Sequence, residues 1–301
     1  MTSLKAGWKS LAWSAAALVL LLSLATPFSV ITLFLLMVPF VVLFTALKPG
    51  AFVLHLIPVF VLAFLLLGGY GAIAATLGFF FLIPSIAMGY RYKKGASARS
   101  ALVLGSIVIL AQLLIEFTIF SIQFKLDLAA ELASAMDTML QRLQTGTLLP
   151  SNWTSDMADS IVKGLPMLLL LSSFLFALIA HGLSRWALRS FGIQANALPE
   201  ARTWRLPRSL VFYYLIALVA SFFISADATG FWPVVVSNLV PLLQYAFIAQ
   251  AIGFFFFLAH EKQWPKAVPI LIAIPLILFP PLYLIGLIDA VFPLRRYFVK
   301  E

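Results

Sequence analysis

Residues 101–122 read ALVLGSIVILAQLLIEFTIFSI, 22 positions in a row with a single charge, Glu116. Crossing about 30 Å of hydrocarbon at 1.5 Å per residue takes roughly 20 apolar residues. This stretch is therefore long enough to span a membrane. It has to do so as a helix, because lipid offers no partner for backbone N–H and C=O groups, and a barrel strand would alternate apolar with polar positions. Eight further runs of the same kind lie at 11–24, 28–47, 51–67, 71–90, 165–188, 210–225, 232–259 and 268–292. The fold class they imply is all-α: a polytopic transmembrane helical bundle of about 8–10 membrane segments, boundary errors allowed for.

Composition agrees. Of 301 residues 63% are apolar and 10% charged, against about a quarter charged in a soluble domain, which excludes a water-soluble fold. The net charge of +9 does not point to nucleic acid, because the lysines and arginines sit in short clusters at the ends of apolar runs, where they orient helices. There is no cysteine, which removes thiolate chemistry. His55, His181 and His260 fall in three different segments with no metal-site spacing, so neither metal nor cofactor is expected.

Placing the N-terminus on the cytoplasmic side puts Lys48, then Arg91, Lys93, Lys94 and Arg99, then the cluster from Arg185 to Arg208, then Lys262 and Lys266 on that face. The other face receives Asp227 and the loop 123–163, whose acids Asp127, Glu131, Asp137, Asp156 and Asp159 outnumber Lys125, Arg142 and Lys163. This is the positive-inside pattern, and it predicts a multi-pass membrane protein with these basic loops on the cytoplasmic side. Lys5 and Lys9 ahead of 11–24 mimic a secretory signal, but the run continues almost directly into 28–47 without a cleavage motif, so a retained first helix is expected. One end breaks the pattern, since nine simple crossings would put Arg295, Arg296 and Lys300 outside. Two repairs are open. Pro280-Pro281 can break 268–292 into a hairpin that returns to the cytoplasm, or the first two runs can merge.

The chain divides by composition into membrane helices at 1–122, an extracytoplasmic insert at 123–163, and a second membrane part at 164–301 with the Arg-rich loop 185–208. In the insert Leu128, Leu132, Met136, Met139 and Leu143 recur at helical spacing, with Asp127, Glu131, Asp137 and Gln141 on the other faces. An amphipathic helix follows, lying on the leaflet or folding over the bundle as a lid. Asn152-Trp153-Thr154 fits a glycosylation sequon, which matters only in a secretory compartment.

A charge inside a span costs about 2.5–3.5 kcal/mol on insertion scales and asks for a reason. Glu116 is the clear case, and Gln112, four residues earlier, projects from the same helix face. The two could bind a cationic or hydroxylated ligand or carry a proton; equally, a protonated glutamate could be hydrogen-bonded inside the bundle with no ligand. Asn238, Gln244 and Gln250 are six residues apart and cannot share one stripe, so separate interhelical hydrogen bonds are expected. His55, His181 and Asp289 sit near segment ends, where interfacial solvation is expected. Gly71 with Ala75, Ala74 with Gly78 and Ser85 with Gly89 form small-xxx-small pairs that let helices approach closely. Pro39, Pro58, Pro84, Pro241 and Pro275 imply kinked or broken helices. The chain has no phosphate-binding loop, nucleophile elbow or His-Glu-x-x-His, and an enzyme is not expected.

Arg185-Trp186-Ala187-Leu188-Arg189, Leu198-Pro199, Trp204-Arg205-Leu206-Pro207-Arg208 and Gly286-Leu287-Ile288-Asp289 with Arg295 and Arg296 resemble the YybS family of bacterial membrane proteins. Asn238 with Gln250 and Gly253 is similar to that family's penultimate helix. The family is a domain of unknown function whose membrane fold looks similar to the substrate-binding subunits of energy-coupling-factor vitamin transporters. The resemblance implies capture of a small molecule and partnership with coupling and ATPase subunits, met through an Ala-x-x-x-Ala surface that Ala12 and Ala16 would supply. The extra helices and the insert depart from that six-helix pattern. Two functions stay open: a transport-type binding subunit with its site at Gln112 and Glu116, and a non-transporting organiser that docks a cytoplasmic protein or anionic lipid head groups through Arg202, Arg205 and Arg208. The plain alternative is that these arginines only set topology.

Overall fold

A computed structural model describes residues 2–124, 127–142, 153–224, 230–292 and 294–298, with the side chains of 2–6, 124 and 142 excepted. Lys125, Leu143, Asn152 of the sequon, Asp227 and Lys300 lie outside the described residues, as do the side chains of Lys5 and Arg142. Each predicted apolar run is a helix or a broken pair of helices, and no strand occurs among the described residues. In chain order they are α1 Thr2–Ser23, α2 Ser29–Leu35, α3 Met37–Ala46, α4 Pro49–Leu67, α5 Gly71–Lys93, α6 Ala98–Phe124, α7 Leu128–Arg142, α8 Trp153–Lys163, α9 Leu165–Arg189, α10 Ser209–Phe222, α11 Phe231–Glu261, α12 Ala267–Leu278 and α13 Tyr283–Val291. Five stretches are long and apolar enough to cross a membrane: Ser29–Ala46, Pro49–Lys93, Ala98–Gln123, Leu165–Arg189 and Phe231–Glu261.

The 45 residues of Pro49–Lys93 are a hairpin of two helices. Gly68 stands at φ +54°, ψ −118°, a conformation open in practice only to glycine, and there the chain reverses. In one unbroken helix Phe60 and Phe79 would be about 28 Å apart; instead their rings stack with centroids 4.4 Å apart.

The chain forms two compact units, one of residues 1–126 with 168–198 and one of 127–167 with 199–301. These units cut the chain elsewhere than composition does: most of α9 belongs with the first five apolar runs, and the insert with the C-terminal helices. In the first unit α5 packs against α3, α4 and α6, and α1 against α3 and α4. The small-xxx-small stripe is the seam: a Cβ at Gly78 would meet Phe60 and Leu21, one at Gly89 the Phe44 ring and Thr45 Oγ1. The buried Ser85 hydroxyl donates to the carbonyls of Phe81 and Met37 at 2.6 and 3.3 Å. From α9, Phe176 stacks on Phe34 and Tyr92 Oη bonds His181 Nδ1 at 2.6 Å.

In the second unit α11 is the axis, with α10, α12 and α13 packed along it and α8 near its start. The amphipathic helix predicted in the insert is α7, and it pairs with α8. At 12 and 9 residues, α12 and α13 are about 18 and 14 Å long, far short of the roughly 30 Å of hydrocarbon. Leu276 of α12 packs on Ile248 and Ala251, and Gly286 of α13 lies against Phe247 and Ala251. The two helices thus run up and back along the same turns of α11, broken at Pro280–Leu282. Of the two repairs of the helix count, the hairpin is the one the fold adopts. The first two runs stay separate, joined by a turn in which Ser23 Oγ and Thr32 Oγ1 bond at 2.7 Å.

Candidate functional site

The hairpin delivers the segment after α13 to the end of α11 where the loop 199–208 lies. That loop has little regular structure beyond a single 3-10 turn, Ala201–Thr203. It is held in four ways. Gly253 lets it approach: a Cβ there would stand 3.0 Å from the Ala201 carbonyl and 3.2 Å from Trp204 Cβ. Gln250, also on α11, accepts from the Leu206 N–H at 2.8 Å. Trp204 Nε1 donates to the Pro199 carbonyl at 2.9 Å and closes the loop on itself.

The fourth fastening is Arg295, 4% exposed. Its Nη1 donates to the Arg202 carbonyl at 2.7 Å and its Nη2 to the Trp204 carbonyl at 2.8 Å. Nη2 and Nε also donate to Asp289 Oδ2, at 2.9 and 3.2 Å. Gln250 Nε2 donates to that same oxygen at 2.5 Å, and the guanidinium lies 5.3 Å from the Phe257 ring. Burying two charges costs several kcal/mol each, and the cost is offset only where geometry is good and the remaining donors find partners. Both conditions hold here. Asp289 is accordingly not solvated at a segment end as its position suggested. The loop and the post-α13 segment fold over it, and Arg295 replaces the water. His181 is likewise buried, at 2% exposure, with Tyr92 in place of solvent.

Beside this lock lies a cavity of about 160 Å³ lined by Arg205, Leu206, Arg208, Gln250, Asp289, Ala290, Phe292, Arg295 and Arg296. Two ion pairs occur among the described residues: Arg295–Asp289 and Arg202–Glu200, the latter at 2.5 Å. Arg205, Arg208 and Arg296 are exposed, and no acid among the described residues pairs with them. Arg202 also contacts His260 and lines a second cavity of about 570 Å³ with Trp264 and Lys266. A third, about 400 Å³, lies in the first unit between Arg185 and Arg189.

The remaining sequence-predicted residues are scattered. Gln112 is half-buried and donates to the Phe80 carbonyl at 3.1 Å, and Glu116 is exposed on α6; neither lines any of these cavities. The polar residues of α11 do form separate bonds. Asn238 donates to the Lys163 carbonyl at 2.7 Å and accepts from the Met167 N–H at 2.9 Å, tying the α8–α9 junction to α11. Gln244 Nε2 reaches Tyr214 Oη at 3.4 Å. His55 bonds the Ala51 carbonyl and Ser10 Oγ. Ala12 is exposed and Ala16 half-buried. Among the described residues no group of acids and histidines could hold a metal ion. Sequence reasoning missed the meeting of Arg295 and Arg296 with Arg205 and Arg208; the unsolved placement of the basic segment after α13 was its only signal.

One family pattern, described as "Predicted membrane protein (DUF2232)", matches residues 14–290. The chain belongs to the DUF2232 family. It is a multi-pass membrane protein with an all-α fold. It is similar to the uncharacterized protein YybS of Bacillus subtilis (strain 168), with 25% identity over 136 residues, 44% of this chain and 43% of that protein. The chain thus aligns with less than half the length of the curated relative it matches. No solved structure matches it. Within this DUF2232 chain, Trp204, Leu206, Gln250, Gly253, Asp289 and Arg295, drawn from separate parts of the YybS-like pattern, take part in one network. Asn238 lies apart from it.

Proposed function

We propose that this protein sits in a bacterial cytoplasmic membrane as a fixed docking platform, and that its arginine loop receives an anionic partner on the cytoplasmic face. The observation that carries the reading is the lock. A loop that served only to orient helices would need its charges and no fixed shape. This one has its backbone carbonyls clamped by a buried arginine while Arg205 and Arg208 remain exposed, with no acidic partner among the described residues. Clamping fixes the backbone from which these side chains project, which lowers the ordering cost of binding. Capture of a small molecule at Gln112 and Glu116 draws no comparable support, because Gln112 spends its amide on Phe80 and Glu116 faces outward.

A photo-crosslinking side chain placed at 202, 205 or 208 in growing cells tests this. The expected result is one discrete cytoplasmic protein adduct from all three positions, absent from position 213 on the exposed side of α10 and lost when the other two arginines are glutamine. Absence of an adduct at all three positions, or the same adduct at 213, would overturn it.

A further inference from the structure

We infer that the cavity between the arginine loop and the segment after α13 is a binding site for a dianionic phosphate group, that of a phosphate monoester or of inorganic phosphate. The inference deepens the docking reading and rests on it for the side of the membrane, but not for its chemistry. The space of about 160 Å³, open at its rim, has room for a tetrahedral oxyanion.

Charge selects the oxyanion. Arg205, Arg208 and Arg296 line the space, exposed and without an acidic partner among the described residues. The fourth arginine, Arg295, and the carboxylate that lines the cavity, Asp289, neutralise one another. Three positive charges are left uncompensated around one small space. The backbone of the loop is clamped through the carbonyls of Arg202 and Trp204, and Arg296 directly follows the buried Arg295, so their Cα atoms stay around the space while their side chains can turn into it. A group with two negative charges relieves that repulsion, and the planar fork of arginine bonds phosphate oxygens two at a time. A phosphate monoester carries close to two charges near neutral pH and three acceptor oxygens; a phosphodiester carries one charge and has fewer free oxygens. Phe292, exposed at the rim, offers an apolar edge that suits the glycerol end of a lipid, so the group could arrive on phosphatidic acid or as free phosphate. Both sources share the chemistry.

The test uses the full chain in nanodiscs of phosphatidylcholine, titrated calorimetrically with inorganic phosphate and with chloride at matched ionic strength. Saturable phosphate binding, weakened about tenfold or more in Arg205→Gln or Arg296→Gln and unchanged in Lys262→Gln, supports the site. These arginines have no acidic partner among the described residues, so the variants are expected to fold; should one fail to, the comparison of phosphate with chloride on the natural chain still decides. Equal response to phosphate and chloride overturns the proposal, as does unchanged binding in folded variants. In a second arm, nanodiscs containing phosphatidic acid are compared with ones containing phosphatidylglycerol. Loss of the inorganic phosphate titration only with phosphatidic acid assigns the site to a lipid head group; retention in both assigns it to soluble phosphate. Phosphate binding without the crosslink at 202, 205 and 208 would leave the site standing and remove the platform, and the reverse would leave the platform and remove the site.

Discussion

Two glycines separate the two units. A Cβ at Gly78 of α5 would meet the edge of the Phe60 ring at 2.6 Å and a Leu21 methyl at 3.1 Å, both ends of side chains. A Cβ at Gly286 of α13 would run into the Phe247 carbonyl and, at 2.8 Å, the Ala251 nitrogen. Along the α5 seam at Gly78 and Gly89 the first unit brings its helices together through side chains settled on small residues, as expected where lipid and protein are equally apolar. The second brings backbone against backbone, and its basic end is closed by a buried ion pair. The first is held by packing with scattered hydrogen bonds such as Tyr92 to His181. The second needs every buried donor at that end satisfied, and it gains a loop of fixed geometry in return.

The contrast can be broken most forcefully at Asp289. Asp289→Ala leaves the Arg295 guanidinium buried without its carboxylate, and removing one partner of such a pair costs about 3–5 kcal/mol. The variant is expected to lose most of its folded yield, read by size exclusion after membrane extraction. Adding Arg295→Met should restore much of it, since an apolar replacement of the whole pair is often neutral. Failure of that rescue would mean the pair does more than close the structure.

Next in size are the glycines themselves. Gly286→Ala has no flexible neighbour to yield, and overpacking of this kind costs about 1–3 kcal/mol. Gly78→Ala meets a ring that can tilt and is expected to cost less than about 1 kcal/mol. Unfolding measured by steric trapping in bicelles compares the two directly, and equal costs would erase the distinction drawn between the units. The smallest effect belongs to Tyr92→Phe. It removes one buried hydrogen bond to His181, a class worth about 0.6 kcal/mol on average within membranes. A loss of several kcal/mol there would show that the first unit has a polar lock of its own.

The spans were legible in the sequence because continuous apolar runs have no other solution in lipid, and the break at Pro280-Pro281 was legible because a helix cannot pass undisturbed through two prolines. Which face of each helix looks inward was not. On α6 both faces are apolar, so periodicity placed Gln112 and Glu116 on one stripe without revealing that Glu116 is exposed. Asp289 was misread because its partner follows six residues later, beyond the helix end, and the carbonyls that complete the site lie about 90 residues upstream. Nothing in the order of residues announces that meeting. It arises only once α12 and α13 double back along α11.

The hairpin is therefore the central claim, and the chain's lack of cysteine makes it directly testable. Single cysteines are placed at 205 in the arginine loop, at 296 after α13, and at 156 in α8, near the other end of α11, and are labelled with a membrane-impermeant maleimide in intact and in opened cells. Positions 205 and 296 are expected to react only once cells are opened, and 156 in intact cells. Reaction of 296 together with 156 would mean that the last apolar run crosses the membrane, and the lock, the platform and the phosphate site would fall with it.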